Sequence, residues 1–95
     1  MERREDVILP DEFPYQLSEH AALAARERAI PLLWVKRVIE EPDQLVPDDA
    51  DPELLHALGK VPEFADRVLR VVYNHKARPW KIVTMYFDRA MKGRL

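Results

Sequence analysis

The residues best suited to chemistry lie between positions 67 and 89, where cationic side chains interrupt two apolar runs. Arg70 stands among valines in the first run, and a guanidinium in such a place needs a polar partner if it is covered. The second run carries the hydroxyls of Thr84 and Tyr86. If both runs are strands, the guanidinium and the two hydroxyls share one otherwise apolar face, because side chains alternate along a strand. This pattern indicates a surface for a polar partner.

The elements that must position these groups form a predicted β-hairpin. Two apolar, β-branched runs flank a polar break and predict strands over 67–73 and 80–87, paired antiparallel. Pro79 cannot donate a ladder hydrogen bond, so the simplest loop pairs Asn74 with Trp80.

That register sorts the side chains of the hairpin onto two faces. It sets Leu69 opposite Met85 and Arg70 opposite Thr84. The face toward the rest of the fold is predicted to carry Leu69, Val71, Val83, Met85 and Phe87. The other face is predicted to carry Val68, Arg70, Val72, Trp80, Ile82, Thr84 and Tyr86. A slip by one residue would exchange the two faces, so the prediction depends on the turn.

Charge is distributed unevenly along the sequence. Residues 67–95 hold eight basic residues and one acidic residue, a net charge of +7, whereas residues 1–66 carry −9. Such asymmetry suggests a polar partner surface. The alternative is that the basic segment pairs with the acidic half of the same domain, since many surface charges only form mixed, solvated faces.

Composition excludes several classes of protein. Ninety-five residues suffice for one domain with a modest core. No apolar run approaches the roughly 20 residues of a membrane span, and the first residues lack a signal-peptide pattern, so a cytoplasmic location is expected. The absence of cysteine excludes disulfides, zinc–thiolate sites and a cysteine nucleophile. Two glycines are too few for a glycine-rich phosphate loop, and no cofactor or metal is expected because His56 and His75 lack companions at ligand spacing.

Two helices are predicted before the hairpin. Ser18 is suited to cap a helix over about 19–29, and Pro31 is suited to begin a second helix that ends near residue 41. Residues 44–46 suggest a short strand, and 52–58 suggest a brief helix. The predicted fold is α+β, with two N-terminal helices packed on a small twisted antiparallel sheet of three to four strands. A loose arm over 1–14, a domain over 15–90 and a basic tail over 91–95 complete the predicted organisation.

Five short motifs in this order resemble a bacterial family of domains of unknown function, family 4258. The motifs are Ser18-Glu19-His20-Ala21, Arg26-x-Arg28-Ala29-Ile30, Val38-Ile39-Glu40-Glu41-Pro42-Asp43, Arg67-Val68-Leu69-Arg70-Val71-Val72 and Val83-Thr84-Met85-Tyr86-Phe87-Asp88-Arg89. That family is similar to the RelE-like and BrnT-like toxin nucleases, so the resemblance implies a RelE-like fold. The segment from Asp48 to Asp66 is longer and more acidic than the hairpin of such a family needs.

The resemblance implies RNA cleavage through the 2′-hydroxyl, without a metal. Such cleavage needs a base, an acid for the leaving oxygen and cationic donors around the phosphorane. His20 is the expected proton-transfer residue and Glu27 a candidate base. Arg70 is expected to bind the phosphate, and Thr84 and Tyr86 to position or protonate an oxygen. If this site exists, His20 or Glu27 should lie within about one water-bridged contact of Arg70 or Thr84.

The resemblance also implies a surface that binds RNA around the cleavage site. Its expected members are Arg28, Arg67, Trp80, Lys81 and Arg89, with Trp80 or Tyr86 stacking on a base. Several of the candidate residues have a structural alternative. His20, near the start of its helix, is suited to be an ordinary surface residue. Arg28 is suited to pair with a carboxylate such as Asp43, Thr84 is a good strand former, and the two aromatic rings are suited to cover the sheet.

Two functions therefore compete. The first is a toxin-type endoribonuclease of a toxin–antitoxin system, with RNA as substrate and an antitoxin protein that covers the basic face. The second is a non-catalytic protein-interaction domain on the same fold. The sequence pI of 5.9 counts against a free RNA binder, since phosphate contacts usually dominate affinity.

Overall fold

The computed structural model describes residues 13–95, which build a five-stranded sheet and two α-helices. Most of the arm predicted over 1–14 lies outside this range. The strands are β1 Gln16–Leu17, β2 Gln44–Pro47, β3 Leu54–Val61, β4 Arg67–Asn74 and β5 Lys81–Phe87; the α-helices are α1 Glu19–Glu27 and α2 Leu32–Glu40. Two 3₁₀ helices, Pro62–Phe64 and Arg89–Met91, follow β3 and β5. Neither α-helix within residues 13–95 has the length and apolar character needed to cross a membrane.

The predicted sheet of three to four antiparallel strands is wrong, although the α+β class holds. The strand order is β1-β5-β4-β3-β2, and β1 pairs with β5 in parallel through Gln16↔Lys81 and Leu17↔Ile82. The other three pairings are antiparallel. The sheet is therefore mixed, and it is larger than expected because residues 54–61 form a full strand.

The brief helix predicted over 52–58 is also wrong. Its leucines and alanine favour helix, but intrinsic propensity is a small contribution, and pairing of β3 with a strand on each side outweighs it. Gly59, which follows this segment, lies in β3 beneath α2. A Cβ at this position would be 3.0 Å from Val38 Cγ2, so glycine lets the helix approach the strand closely.

The two hairpin strands are confirmed, but their predicted register is wrong. Arg70 lies opposite Tyr86, whereas Thr84 lies opposite Val72. The ladder shifts between Val72 and Tyr73, where one extra residue on β5 is accommodated. The predicted pairing of Asn74 with Trp80 is also wrong, because Asn74 pairs with Lys81. Ile82 therefore lies opposite Tyr73 and enters the core, whereas Val83, which was predicted to face the helices, is not part of it.

The two helices end close to their predicted limits and seal one side of the sheet. Ser18 caps α1, its hydroxyl accepting a hydrogen bond from the Ala21 amide at 2.9 Å. The helices contribute small and branched buried side chains: Ala21, Ala24, Ala25, Leu32, Val35, Val38 and Ile39. These pack on strand residues that include Ala57, Val61, Leu69, Val71, Tyr73, Ile82 and Met85. We call this side of the sheet the covered face.

The opposite side, which we call the open face, also buries apolar side chains. Leu58, Val68 and Val72 are each at most 6% exposed, yet they do not belong to the core cluster beneath the helices. The alternation of β3 and β4 places His56 and Arg70 on this same face. Polar side chains and buried apolar side chains therefore share this face of the sheet.

Candidate functional site

Helix α1 lies along the edge of β5 and takes the place of a further strand. Beyond the short β1 pairing, the Ser18 amide donates to the Ile82 carbonyl at 3.0 Å, and the Ser18 hydroxyl donates to the Val83 carbonyl at 3.0 Å. Near the other end of the helix, Arg28 Nη1 donates to the Met85 carbonyl at 3.1 Å. Side chains at both ends of α1 are thereby fixed beside β5.

This arrangement brings together two residues that were predicted to be catalytic. His20 Nε2 lies 3.1 Å from Thr84 Oγ1. The imidazole is on the exposed side of α1, while Thr84 is partly buried in β5. An imidazole next to a hydroxyl can accept or donate a proton, depending on its tautomer. The geometry expected of His20 and Thr84 is thus present, and their catalytic role stays a prediction.

A basic groove lies at the end of β5. It has a volume of about 600 Å³ and is lined by Arg28, Ala65, Arg67, Val68, Tyr86, Phe87, Asp88, Arg89 and Lys92. Three of the five residues predicted to bind phosphate are among them, and Tyr86 supplies an exposed aromatic hydroxyl. Lys92 was not predicted, because residues 91–95 were expected to be a tail.

Three of the four groove cations contact main-chain carbonyls or an aromatic ring. Arg28 and Lys92 donate to main-chain carbonyls, the latter to that of Ala65 at 2.7 Å. The Arg67 guanidinium carbon lies 4.5 Å from the centroid of the Phe64 ring, a cation–π contact. Within residues 13–95, none of Arg28, Arg67, Arg89 and Lys92 pairs with a carboxylate. The groove is therefore strongly cationic.

Asp88, the single carboxylate among the residues of 13–95 that line the groove, is already paired. Arg70 donates to Asp88 Oδ2 from Nε at 2.9 Å and from Nη2 at 2.8 Å. Its Nη1 lies 2.8 Å from His56 Nδ1, and His56 Nε2 lies 2.7 Å from Asp48 Oδ1. We call Asp48, His56, Arg70 and Asp88 the polar network.

The remaining predicted site residues lie elsewhere. Arg70 belongs to the polar network rather than to the lining of the groove. Trp80 stacks between Tyr15 and Tyr73, with ring centroids 6.1 and 4.9 Å away. Lys81 begins β5, about 20 Å along the strand from the groove. The side chain of Glu27 is exposed and takes part in none of the hydrogen bonds found between residues 13 and 95.

The proposed partner of Arg28 also differs. Asp43 Oδ2 accepts a hydrogen bond from the Lys60 amide at 2.9 Å and ties the start of β2 to β3. Arg28 instead donates a hydrogen bond from one nitrogen to a main-chain carbonyl, and it lines the groove. His56 was missed because 52–58 was predicted as a helix. A strand assignment for 54–61 would have placed it on the Arg70 face by alternation alone.

Residues 17–87 match the family model of DUF4258, a domain of unknown function. The chain belongs to the DUF4258 family. The match covers the His20–Thr84 contact and most of the groove lining, while Asp88, Arg89 and Lys92 follow directly after the matched segment of this DUF4258 domain. No curated protein and no solved structure matches the chain significantly.

Proposed function

We propose that this DUF4258 domain binds single-stranded RNA through its basic groove and cleaves it as a metal-independent, toxin-type endoribonuclease. The proposal rests on the groove itself, whose four cations pair with no carboxylate of residues 13–95 and whose lining includes an exposed tyrosine. Phosphate contacts of this kind supply most of the affinity for nucleic acid. The resemblance of the motifs to RelE-like and BrnT-like nucleases supports the same class.

The arginines of the groove suit a phosphodiester better than a simple point charge does. A guanidinium presents a planar fork that donates two hydrogen bonds to one phosphate. Arg28 and Arg67 are held by a carbonyl and a ring, respectively, so their orientation is restrained without loss of charge. Tyr86 also lines the groove and is 37% exposed, which leaves its ring available for stacking on a base.

The reacting groups would be arranged along β5. Thr84 and Tyr86 lie two residues apart on the open face, and Thr84 contacts His20. Neutral His20 would accept the proton of the attacking 2′-hydroxyl, either directly or through Thr84. The groove cations would stabilise the charge that develops on the phosphorane, and the Tyr86 hydroxyl is placed to donate to an oxygen.

Binding is tested with a labelled single-stranded RNA at several salt concentrations in the presence of EDTA. Each phosphate contact lowers the slope of log affinity against log salt by about 0.7, so four contacts predict a slope of about −3. Arg67→Ala and Arg89→Ala should each weaken binding and make the slope shallower by about 0.7. Lys76→Ala is the matched control, because it removes one exposed cation in the loop at the opposite end of the hairpin.

Cleavage is tested with the same RNA and with its 2′-O-methyl analogue. The wild type should cut only the 2′-hydroxyl form and leave a cyclic phosphate. His20→Gln should bind normally but cleave about 10²–10⁴-fold more slowly, the usual contribution of general acid–base catalysis. Wild-type protein that does not bind RNA above the level of an arginine-depleted variant would contradict the whole proposal.

One observation favours the second candidate, a non-catalytic interaction domain. Arg70, expected to hold the reacting phosphate, is occupied by His56 and Asp88 on the open face. On this alternative the basic groove binds an acidic segment of a partner protein, and the His20–Thr84 contact only joins α1 to β5. Saturable binding of RNA with no cleavage, together with tighter binding of an acidic peptide at the groove, would select this function.

A further inference from the structure

The polar network crosses the open face from an acidic turn, formed by residues 48–51, to the basic groove. Asp48 follows β2, His56 lies on β3, Arg70 on β4, and Asp88 follows β5. Three contacts of 2.7 to 2.9 Å join them in this order. The side chains are between 16% and 23% exposed, so water competes only partly for their hydrogen bonds. No function considered so far uses His56 or Asp48.

The network fixes the protonation of His56. An arginine nitrogen only donates, so His56 Nδ1 must accept from Arg70 Nη1. The ring proton then resides on Nε2, which donates to Asp48 Oδ1. A second proton on Nδ1 would oppose an N–H of the imidazole to an N–H of the guanidinium. Protonation of His56 is therefore incompatible with the Arg70 contact.

At its other end, the network sets the wall of the groove. Asp88 Oδ2 accepts from Arg70, whereas Oδ1 accepts from the Ala90 amide at 3.1 Å and caps the 3₁₀ helix Arg89–Met91. The Asp88 amide also donates to the Val68 carbonyl at 2.8 Å. Arg89 in that helix and Lys92 directly after it supply two of the four groove cations. A shift of the guanidinium thus acts on the segment that carries half of the positive charge.

Other titratable groups near His56 include carboxylates and a tyrosine. Hydrogen bonds from His56 and from the amides of Asp51 and Ala50 lower the pKa of Asp48 to about 2, so it stays anionic. Arg70 also contacts Asp88, and Tyr86 lies opposite Arg70 in the ladder. Asp49 and Asp51 are exposed in the acidic turn. Histidine is the side chain whose ordinary pKa falls between pH 5 and 8.

We propose that Asp48, His56 and Arg70 are positioning residues for the basic groove, and that protonation of His56 weakens the binding of a phosphodiester chain there. This regulation rests on the binding half of the proposed function and not on cleavage. The expected direction of this pH effect on affinity is unusual. Acidification makes any protein more positive and ordinarily strengthens the binding of a polyanion, whereas here the loss of the Arg70 contact displaces the wall of the groove.

The test measures binding of a labelled 2′-O-methyl oligouridylate, which cannot be cleaved, from pH 7.5 to 5.5 at constant ionic strength. Wild-type affinity should fall by about fivefold, the lower end of typical coupling between sites. His56→Gln should lose this fall and keep only the ordinary strengthening in acid. His75→Gln is the matched control, since His75 contacts the Pro52 carbonyl in a different loop and should titrate like the wild type.

A second readout separates regulation from simple loss of structure. The Ala90 amide resonance should shift with the titration of His56 in the wild type and stay constant in His56→Gln, while circular dichroism shows both proteins folded. Binding that is independent of pH, or identical in wild type and His56→Gln, would overturn the regulation and leave RNA binding intact. Absence of binding at every pH would overturn the proposed function and this regulation together.

Discussion

The two faces of the sheet bury apolar side chains by different means. On the covered face, α1 and α2 shield Leu69, Val71 and Met85 completely. On the open face, Leu58 and Val68 are only 1% exposed although they lie outside the core cluster beneath the helices, and His56 and Arg70 lie on this same face. Hydrogen-bonded polar groups thus occupy the face opposite the helices, and the basic groove lies beside them.

This difference separates stability from chemistry in the molecule. Apolar packing between helices and sheet is nondirectional and tolerates small changes of shape. A polar layer depends on every partner being present, because a group that loses its hydrogen bond is left in a site of restricted solvation. No buried side-chain nitrogen or oxygen between residues 13 and 95 is without a partner. The open face is therefore complete, but it is also the more easily disrupted of the two.

The largest expected effect comes from truncating one leucine on each face. Leu69→Ala and Leu58→Ala remove the same atoms from positions that are 0% and 1% exposed. Such substitutions cost about 2–5 kcal/mol, and the cost rises with the cavity that remains. We expect Leu69→Ala near the top of this range, since helices on a sheet cannot collapse easily. Leu58→Ala should lie nearer to about 2 kcal/mol, because side chains above it can settle.

Urea denaturation monitored by circular dichroism gives both free energies of unfolding. The slope of each transition should match the wild type, which shows that the folded state remains compact. Equal losses of stability, or a larger loss for Leu58→Ala, would mean that the polar layer is as rigid as the helical one. The comparison between the faces would then be wrong.

The covered face was largely predictable from the sequence, for a physical reason. The apolar stripe of α2 and the cap at Ser18 are local patterns, and they predicted the helices within two residues. The strands 67–74 and 81–87 were likewise expected, since both are rich in β-branched residues. Pattern and packing agree in these segments, so local sequence was sufficient.

The open face was predictable only in part. Arg70 was expected to need a partner, but the partner His56 lies on a strand whose leucines and alanine favour helix. The turn pairs Asn74 with Lys81 instead of Trp80, and the bulge between Val72 and Tyr73 shifts the ladder by one more residue. Tyr86, rather than Thr84, therefore lies opposite Arg70. Bulges and pairing partners depend on contacts between distant segments, which no local pattern contains. The basic groove depends on the same contacts, although three of its cations were expected to act together.

A smaller effect is expected from Arg70→Ala, which removes the centre of the polar network. His56 Nδ1 and Asp88 Oδ2 both lose their donors. A stranded group of this kind costs about 1–3 kcal/mol, so the variant should fold with reduced stability. Arg67→Ala, which removes an exposed guanidinium from the groove, should change stability by less than about 0.5 kcal/mol.

Thermal unfolding and RNA binding of these two variants distinguish a residue of the groove from a residue of the polar network. Arg67→Ala should weaken RNA binding without loss of stability, and Arg70→Ala should lower both. Arg70→Lys should restore little, because an ammonium cannot reach His56 and both sides of the contact with Asp88 as a guanidinium does. An Arg70→Ala variant as stable as the wild type would show that the network does not stabilise the open face.

The smallest effect is expected in acid, where two carboxylates of the molecule can be compared. Asp48 in the polar network and Glu63, which pairs with Arg37 of α2 through two hydrogen bonds of 2.9 and 2.8 Å, each have a pKa lowered to about 2. The folded-state pKa lies below the ordinary values of about 4. Each group therefore contributes stability above pH 4 that is lost as the pH falls toward 2.

Asp48→Asn and Glu63→Gln should each make the acid branch of the stability curve less steep than that of the wild type. The two should differ in their response to salt. The Arg37–Glu63 pair lies in solvent, so 0.5 M NaCl should remove most of its contribution. Asp48 is held by His56 and by two main-chain amides, and hydrogen bonds of this kind are screened far less. Denaturant titrations at pH 2.5 and 5, with and without salt, measure both contributions. Equal sensitivity to salt would place Asp48 among ordinary surface charges and would remove the acidic turn from the polar network.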